Sequence, residues 1–187
     1  FRPRDLSSMQ IVSCGGSMVA PELVRRAQAL FGAGFSTLYG QTEYCPVITQ
    51  HHNDDHINDI CGTTGQPVAQ TEVSIRSVDE NYVLPIGSVG EICARGPCVM
   101  LEYNDNAQAT TETIDSDGWL HTGDLGRMDA RGYVTVTGRV KEMIIRGGEN
   151  HFPAEIENCL LEHPDVAEVA VVGLPDPKWG EVIGAFI

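Results

Sequence analysis

Tyr39-Gly40-Gln41-Thr42-Glu43 gathers an aromatic ring, a glycine, a hydroxyl and a carboxylate into one short stretch. It closes Phe35-Ser36-Thr37-Leu38-Tyr39, which reads as a short buried strand. Open α/β sheets bind ligands outside the carboxyl ends of their strands. A ring there can stack on a base, and a glycine lets backbone approach closely. A threonine hydroxyl can donate to a phosphate oxygen, and a glutamate can hold Mg2+. Taken alone, a strand-end loop with a solvated Glu43 is the simpler reading.

Two further stretches carry similar promise. Trp119-Leu120-His121-Thr122-Gly123-Asp124 reads as a turn between β elements, with a carboxylate beside a glycine. Such a carboxylate suits a grip on two ribose hydroxyls, although an ordinary turn aspartate has the same sequence. Gly138-Arg139-Val140-Lys141-Glu142-Met143-Ile144-Ile145-Arg146-Gly147-Gly148 sets alternating charges before a β run and a glycine pair. That pattern fits an exposed linker, or a ligand clamp at a domain junction, where pockets tend to lie.

The elements that must position these groups follow from periodicity. Gln10 to Cys14 is a buried strand that stops at Gly15-Gly16. A helix follows, with Ser17 as a cap, Pro21 in its first turn, and Leu23, Val24, Ala27, Leu30 and Phe31 on one face. Strand, helix and the second strand at 35–39 form a parallel α/β unit. From Cys61 the texture changes to short alternating runs at 72–78, 90–96 and 133–137, with turns at 79–81 and 129–132. After Gly138 a strand at 142–146, a helix from Pro153 and a strand at 166–172 begin a third unit that needs more chain. The expected fold class is therefore α/β with a small antiparallel β subdomain, followed by the truncated start of an α+β domain. The expected divisions are 1–60, the end of an α/β subdomain of a large N-terminal domain; 61–138, a barrel-like β subdomain; and 139–187, a hinge with part of a mobile C-terminal domain.

Composition narrows the class. The chain has 187 residues, 42% hydrophobic and 20% charged, which suits a packed globule. A net charge of −14 argues against nucleic acid as a partner, which needs a basic footprint. Backbone N–H groups and a few cations can still hold a phosphate in an acidic protein. No apolar run reaches the roughly 18 residues of a transmembrane span; peripheral contact with a membrane stays compatible with the composition. The six cysteines form no C-x-x-C pair and show no zinc spacing with histidine. Free thiols without a recognisable secretory signal predict the cytoplasm or another reducing compartment. Phe1 at the start and a strand-like Gly184-Ala185-Phe186-Ile187 at the end read as an internal piece of a longer protein.

In this order and at this spacing, the three stretches resemble the adenylate-forming superfamily of acyl-CoA synthetases, nonribosomal peptide adenylation domains and firefly luciferase. Cys14-Gly15-Gly16-Ser17 is similar to its glycine-rich loop beside adenine. Gly90-Glu91-Ile92-Cys93-Ala94-Arg95-Gly96 is similar to its G-E-L-x-x-x-G segment. Arg146-Gly147-Gly148-Glu149-Asn150 with Phe152-Pro153-Ala154-Glu155-Ile156-Glu157 looks like the start of its mobile domain. The resemblance covers nearly the whole chain and is closest to medium- and long-chain fatty acid ligases. It implies that Tyr39 stacks on adenine, with Gly16 and Ser17 on the other face and Gly40 and Gln41 alongside. It implies that Thr42 touches the α-phosphate and that Glu43 holds Mg2+. Asp124 would grip the ribose, with Arg139 near the ribose or phosphate. Lys141 falls at the hinge, and Gly147 and Gly148 line the coenzyme A channel. The implied reaction joins a carboxylic acid to ATP as an acyl-adenylate, then to coenzyme A.

The resemblance also sets expectations about what lies outside the chain. The phosphate loop would precede residue 1 and the adenylating lysine would follow Ile187, so the piece by itself is expected to be inactive. Glu102-Tyr103 departs from the usual Gly-Tyr, which puts one β turn in doubt. His51-His52-Asn53-Asp54-Asp55-His56 is spaced too tightly for a metal site and is expected to be a solvated loop. Cys45 is expected to be a buried small hydrophobe. The competing readings are an amino-acid or aryl-acid adenylation domain that loads a carrier protein, and a non-catalytic nucleotide-binding relative.

Overall fold

A computed structural model describes residues 5–16, 19 and 21–187. Ser17, expected as a helix cap and an adenine contact, lies outside the described residues. The first sheet contains β1 (Ile11–Gly15), β2 (Gly34–Tyr39), β3 (Thr49–Gln50) and β4 (Gln66–Pro67), in that order. β1 and β2 are parallel and joined by α1 (Pro21–Phe31), while β3 and β4 add antiparallel. The expected apolar stripe of α1 divides. Val24 and Ala27 pack on Phe35 and on Ile60 of α2 (Ile57–Gly62), with Phe31 against them. Leu23 and Leu30 stay exposed, at the outer margins of a face wider than the surface α1 covers.

The second sheet is a meander, β5 (Glu72–Arg76), β6 (Gly90–Arg95), β7 (Leu120–Met128) and β8 (Val134–Arg139), antiparallel throughout. It is an open sheet among the described residues rather than a barrel. Its β8 edge is taken up instead by the first unit: the Thr64 N–H donates to the Val134 carbonyl at 2.7 Å, and the Val134 N–H to Gly65 at 2.9 Å. Ile92, Leu120, Leu125 and Val134 are almost fully buried in this sheet. Between β6 and β7 runs α3 (Ala107–Thr113), a threonine-rich helix capped by Asn106, whose Oδ1 accepts from the Ala109 N–H at 3.1 Å.

After a 3-10 turn at Val140–Glu142 comes a third sheet, order β10-β9-β12-β11. It comprises β9 (Ile144–Arg146), β10 (Glu149–His151), β11 (Ala170–Asp176) and β12 (Gly180–Phe186), with α4 (Pro153–Leu161) between β10 and β11. All its pairings are antiparallel, so the expected β-α-β start is instead a hairpin, a helix and a second hairpin. The strand expected at 166–172 lies at 170–176.

The His51–His56 loop is solvated at His52, Asn53, Asp54 and His56, as expected, but not at its first residue. His51 is buried; its Nδ1 lies 2.8 Å from Thr37 Oγ1 and its Nε2 2.9 Å from Thr63 Oγ1. Burial depresses its basicity. The loop is held down further by Tyr133, which donates to Asp55 at 2.6 Å, and by a two-point contact of Arg131 with Asp59. Cys45, expected buried, is exposed and left-handed at φ 55°, closing the 3-10 turn Thr42–Tyr44.

Candidate active site

The carboxyl end of β2 delivers Tyr39 to β7. The Tyr39 hydroxyl donates to Asp124 Oδ2 at 2.9 Å, across 85 residues of chain. Asp124 is not in a turn, as its sequence context suggested, but within β7, paired in register with Arg139 of β8. Arg139 Nε lies 3.5 Å from Asp124 Oδ1. Burial is the main cause that raises the Asp124 carboxyl above the usual range, with Glu142 and Glu91 adding repulsion and Tyr39 and Arg139 opposing it. The Tyr39 phenol is pushed upward by burial and by the Asp124 charge. Tyr39 also packs against two buried clusters, one of Tyr44, Ile48, Ala94 and Leu120 and one of Ile75, Ile92 and Val134.

Gly40 follows at once. A Cβ there would overlap the Pro46 carbonyl, because the chain turns back so that the Ile48 N–H donates to Tyr39 at 2.8 Å. Gln41 precedes the 3-10 turn and its carbonyl accepts from the Tyr44 N–H at 3.0 Å. That turn presents Thr42 on the surface and Glu43 half-buried. Tyr103 donates to Glu43 Oε1 at 2.8 Å, and the Met100 N–H donates to the Glu43 carbonyl at 2.8 Å. The Glu43 bond is the first cause that raises the Tyr103 phenol. Among the described residues nothing hydrogen-bonds the other oxygen, Oε2, so a hard oxygen donor remains free for a divalent cation.

The remaining expected residues are further along. Gly16, with φ 85°, follows the end of β1. Lys141 is exposed in the 3-10 turn between the second and third sheets. Gly147 and Gly148, at φ 62° and 87°, make the tight β9–β10 turn, where both central residues must be left-handed. Trp179 closes against this turn: it accepts from the Gly147 N–H at 2.8 Å through its carbonyl and carries Arg146 and Lys178 against its ring.

A cleft of about 590 Å3 lies apart from these groups. Thr37, Thr63, Arg127, Thr137 and Glu155 are among its walls; Tyr39, Glu43, Asp124 and Arg139 are not.

Sequence reasoning assigned no role to Glu91, His121 or Tyr103. Glu91 is buried in β6 and accepts from His121 Nδ1 at 2.7 Å. Cys93 Sγ is 3.5 Å from the same nitrogen, so a cysteine does meet a histidine here, 28 residues away in sequence. The trio Glu91, Cys93 and His121 could outline a cation site. Against that, the Glu91–His121 contact is a direct hydrogen bond, and burial pushes the Cys93 thiol up to about 12, away from the ligating thiolate. The signal that would have singled out Glu91 is an acid among Ile92, Cys93 and Ala94, all buried.

With this geometry in hand, comparison with known proteins gives one answer. The profile described as AMP-binding enzyme matches residues 1–104, and that of the AMP-binding enzyme C-terminal domain matches residues 155–187. The chain belongs to the AMP-binding enzyme family. It is 44% identical to 3-[(3aS,4S,7aS)-7a-methyl-1,5-dioxo-octahydro-1H-inden-4-yl]propanoyl:CoA ligase of Rhodococcus jostii (strain RHA1), over 100% of this chain and 34% of that protein. It is 42% identical to medium/long-chain-fatty-acid–CoA ligase FadD8 of Mycobacterium tuberculosis, over 98% of this chain and 32% of that one. Its fold matches ATP-bound MatB from Rhodopseudomonas palustris with a TM-score of 0.84 at 32% identity, covering 92% of this chain and 34% of that chain. The chain thus spans about a third of the length of the curated relatives it matches.

Proposed function

We propose that the protein containing this chain activates a carboxylic acid, a medium- or long-chain fatty acid, with ATP and passes the acyl group to coenzyme A. The observation that carries this reading is the meeting of Tyr39, Asp124 and Arg139 at the carboxyl end of β2, with Glu43 on the next turn. A half-buried carboxylate whose partners are one phenol and one guanidinium suits the paired hydroxyls of a ribose. Tyr39 flanks the adenine from one side, with Gly16 opposite and Gly40 and Gln41 beside it. Thr42 donates to the α-phosphate, and Arg139 adds positive charge near it.

Glu43, with Tyr103 fixing one oxygen, would hold Mg2+ through the other; the cation supplies charge neutralisation at the phosphates. The acid's carboxylate oxygen bonds to the α-phosphorus while the bond to pyrophosphate breaks. The coenzyme A thiol, losing its proton, then bonds to the acyl carbon and AMP leaves. Lys141 sits between the second and third sheets, where rotation would swap the faces presented to the two steps. Gly147 and Gly148 then line the thiol's path.

The relatives' names span a bicyclic propanoate and medium to long fatty acids, and the second supports the fatty acid reading. The test is thioester formation by the full-length protein with ATP, coenzyme A and acids from acetate to palmitate, alongside aromatic acids. The highest kcat/KM is expected with medium or long chains. Preference for an aromatic acid would reject the fatty acid assignment, and AMP formation without thioester would reject coenzyme A as acceptor.

A further inference from the structure

Asp124 sits on an irregular part of β7, and the irregularity is held by side chains rather than by the sheet ladder. Glu91 pairs with Leu125 and Cys93 pairs with His121. Only Ile92 lies between the first two, whereas Thr122, Gly123 and Asp124 lie between their partners. β7 thus carries two extra residues that its pairing with β6 cannot bond, and bulges re-aim side chains beside active sites. On the other side, the register with β8 also shifts, between Leu125 and Gly126.

Two side chains fix the bulge. Glu91 Oε1 accepts from the Gly123 N–H at 3.0 Å, and Oε2 accepts from His121 Nδ1 at 2.7 Å. Thr122 Oγ1 donates to the Ile92 carbonyl at 2.7 Å and accepts from the Asp124 N–H at 3.1 Å. Every N–H across Gly123 and Asp124 is therefore taken by a side-chain oxygen. Glu91 is 9% exposed and begins a chain of polar partners through His121. His121 Nε2 lies 3.7 Å from Asp115 Oδ2, and Arg76 lies 3.6 Å from the same oxygen. This is more than burial requires. A buried carboxylate is costly to keep unless it is paired and hydrogen-bonded, and here it spends one oxygen on the residue next to Asp124.

We propose that Glu91 and Thr122 are positioning residues that set the Asp124 carboxylate for the two ribose hydroxyls of ATP. The inference rests on the reading above that ATP binds at Asp124. Neither residue touches the nucleotide; both act through the backbone of the bulge. Their signature is selectivity for the ribose rather than a general loss of activity.

The experiment uses the full-length protein and measures acid-dependent pyrophosphate release with ATP and with 2′-deoxy-ATP. In Glu91→Ala and Thr122→Val the kcat/KM preference for ATP should fall about 10- to 100-fold, the scale set by a misplacement of about 1 Å. The KM for the acid should stay at its wild-type value. Glu91→Gln, whose amide oxygen still accepts from the Gly123 N–H, should retain the preference. If Glu91→Ala does not fold, Thr122→Val, which keeps the side-chain shape, decides. A preference unchanged in the folded variants overturns the proposal, as does an equal loss with both nucleotides. Asp124→Ala separates the two claims. If it abolishes the preference while Glu91→Ala and Thr122→Val do not, positioning alone fails. If Asp124→Ala itself keeps the preference, the ribose assignment falls and the positioning role falls with it.

Discussion

Asp124 is kept at a cost to the fold. Its carboxyl is raised above the ordinary value of 3.8 by burial, so the folded chain binds that proton more tightly than the unfolded chain does. The cost is absent below the unfolded value, grows as pH rises through the folded value, and is complete above it. Asp124→Asn, which still accepts from Tyr39, should therefore melt at a higher temperature than wild type at pH 7. The gap should close towards pH 3; a gap that widens on acidification would contradict the account. Stability gained together with nucleotide binding lost is the usual trade at a functional site. Tyr103 makes a second prediction at this scale. Tyr103→Phe frees Glu43 Oε1, and the Mg2+ concentration needed for half-maximal activity should rise about tenfold, as for other groups that orient a metal-binding carboxylate. An unchanged requirement would remove Tyr103 from the site. The types of Tyr39, Glu43 and Asp124 already suggested nucleotide chemistry in the sequence. That Tyr39 and Asp124 touch, and that Tyr103 holds Glu43, was not legible, because both contacts span 60 or more residues and no local pattern encodes them.

The elements divide along the same line. β1, α1 and β2 were readable as elements because their apolar positions follow the strand and helix periods and end at Gly15-Gly16 and Gly32, although β1, expected buried, has Ile11, Ser13 and Gly15 exposed. The 129–132 turn was readable from Asp129 and Gly132. β7 was not, because His121, Thr122, Gly123 and Asp124 break the alternation that marks a strand, and the bulge they form is fixed by Glu91 from the neighbouring strand. α3 escaped because Thr110, Thr111 and Thr113 favour helix poorly, and its start depends on the Asn106 cap. β10 escaped because Glu149-Asn150-His151 has no apolar residue and pairs only through the Gly147–Gly148 turn. Gly40 carries the prediction here. In Gly40→Ala the new Cβ meets the Pro46 carbonyl, and backbone cannot yield as a flexible side chain can. Urea unfolding should show a loss of about 1–3 kcal/mol, and a loss below about 0.5 kcal/mol would show that the loop moves aside freely.

For the whole molecule, the organisation that matters is the bond between the first unit and the meander. Arg131 and Tyr133, on the turn before β8, reach Asp59 and Asp55, while Thr64 and Gly65 complete the β8 edge. Tyr39 from one unit and Asp124 from the other can then meet at a fixed separation. The third sheet follows Lys141 as a separate set of strands. No helix among the described residues is long and apolar enough to cross a membrane. The central claim is that this chain supplies the ribose and metal side of an acid-activating site. Acid-dependent ATP–pyrophosphate exchange by the full-length protein, wild type against Asp124→Ala, tests it most directly. The account predicts exchange in the wild type, and in Asp124→Ala a KM for ATP raised about 100-fold or more, the scale of losing two hydrogen bonds to a charged group. Exchange with an unchanged KM for ATP, or no acid-dependent exchange in the wild type, would contradict it.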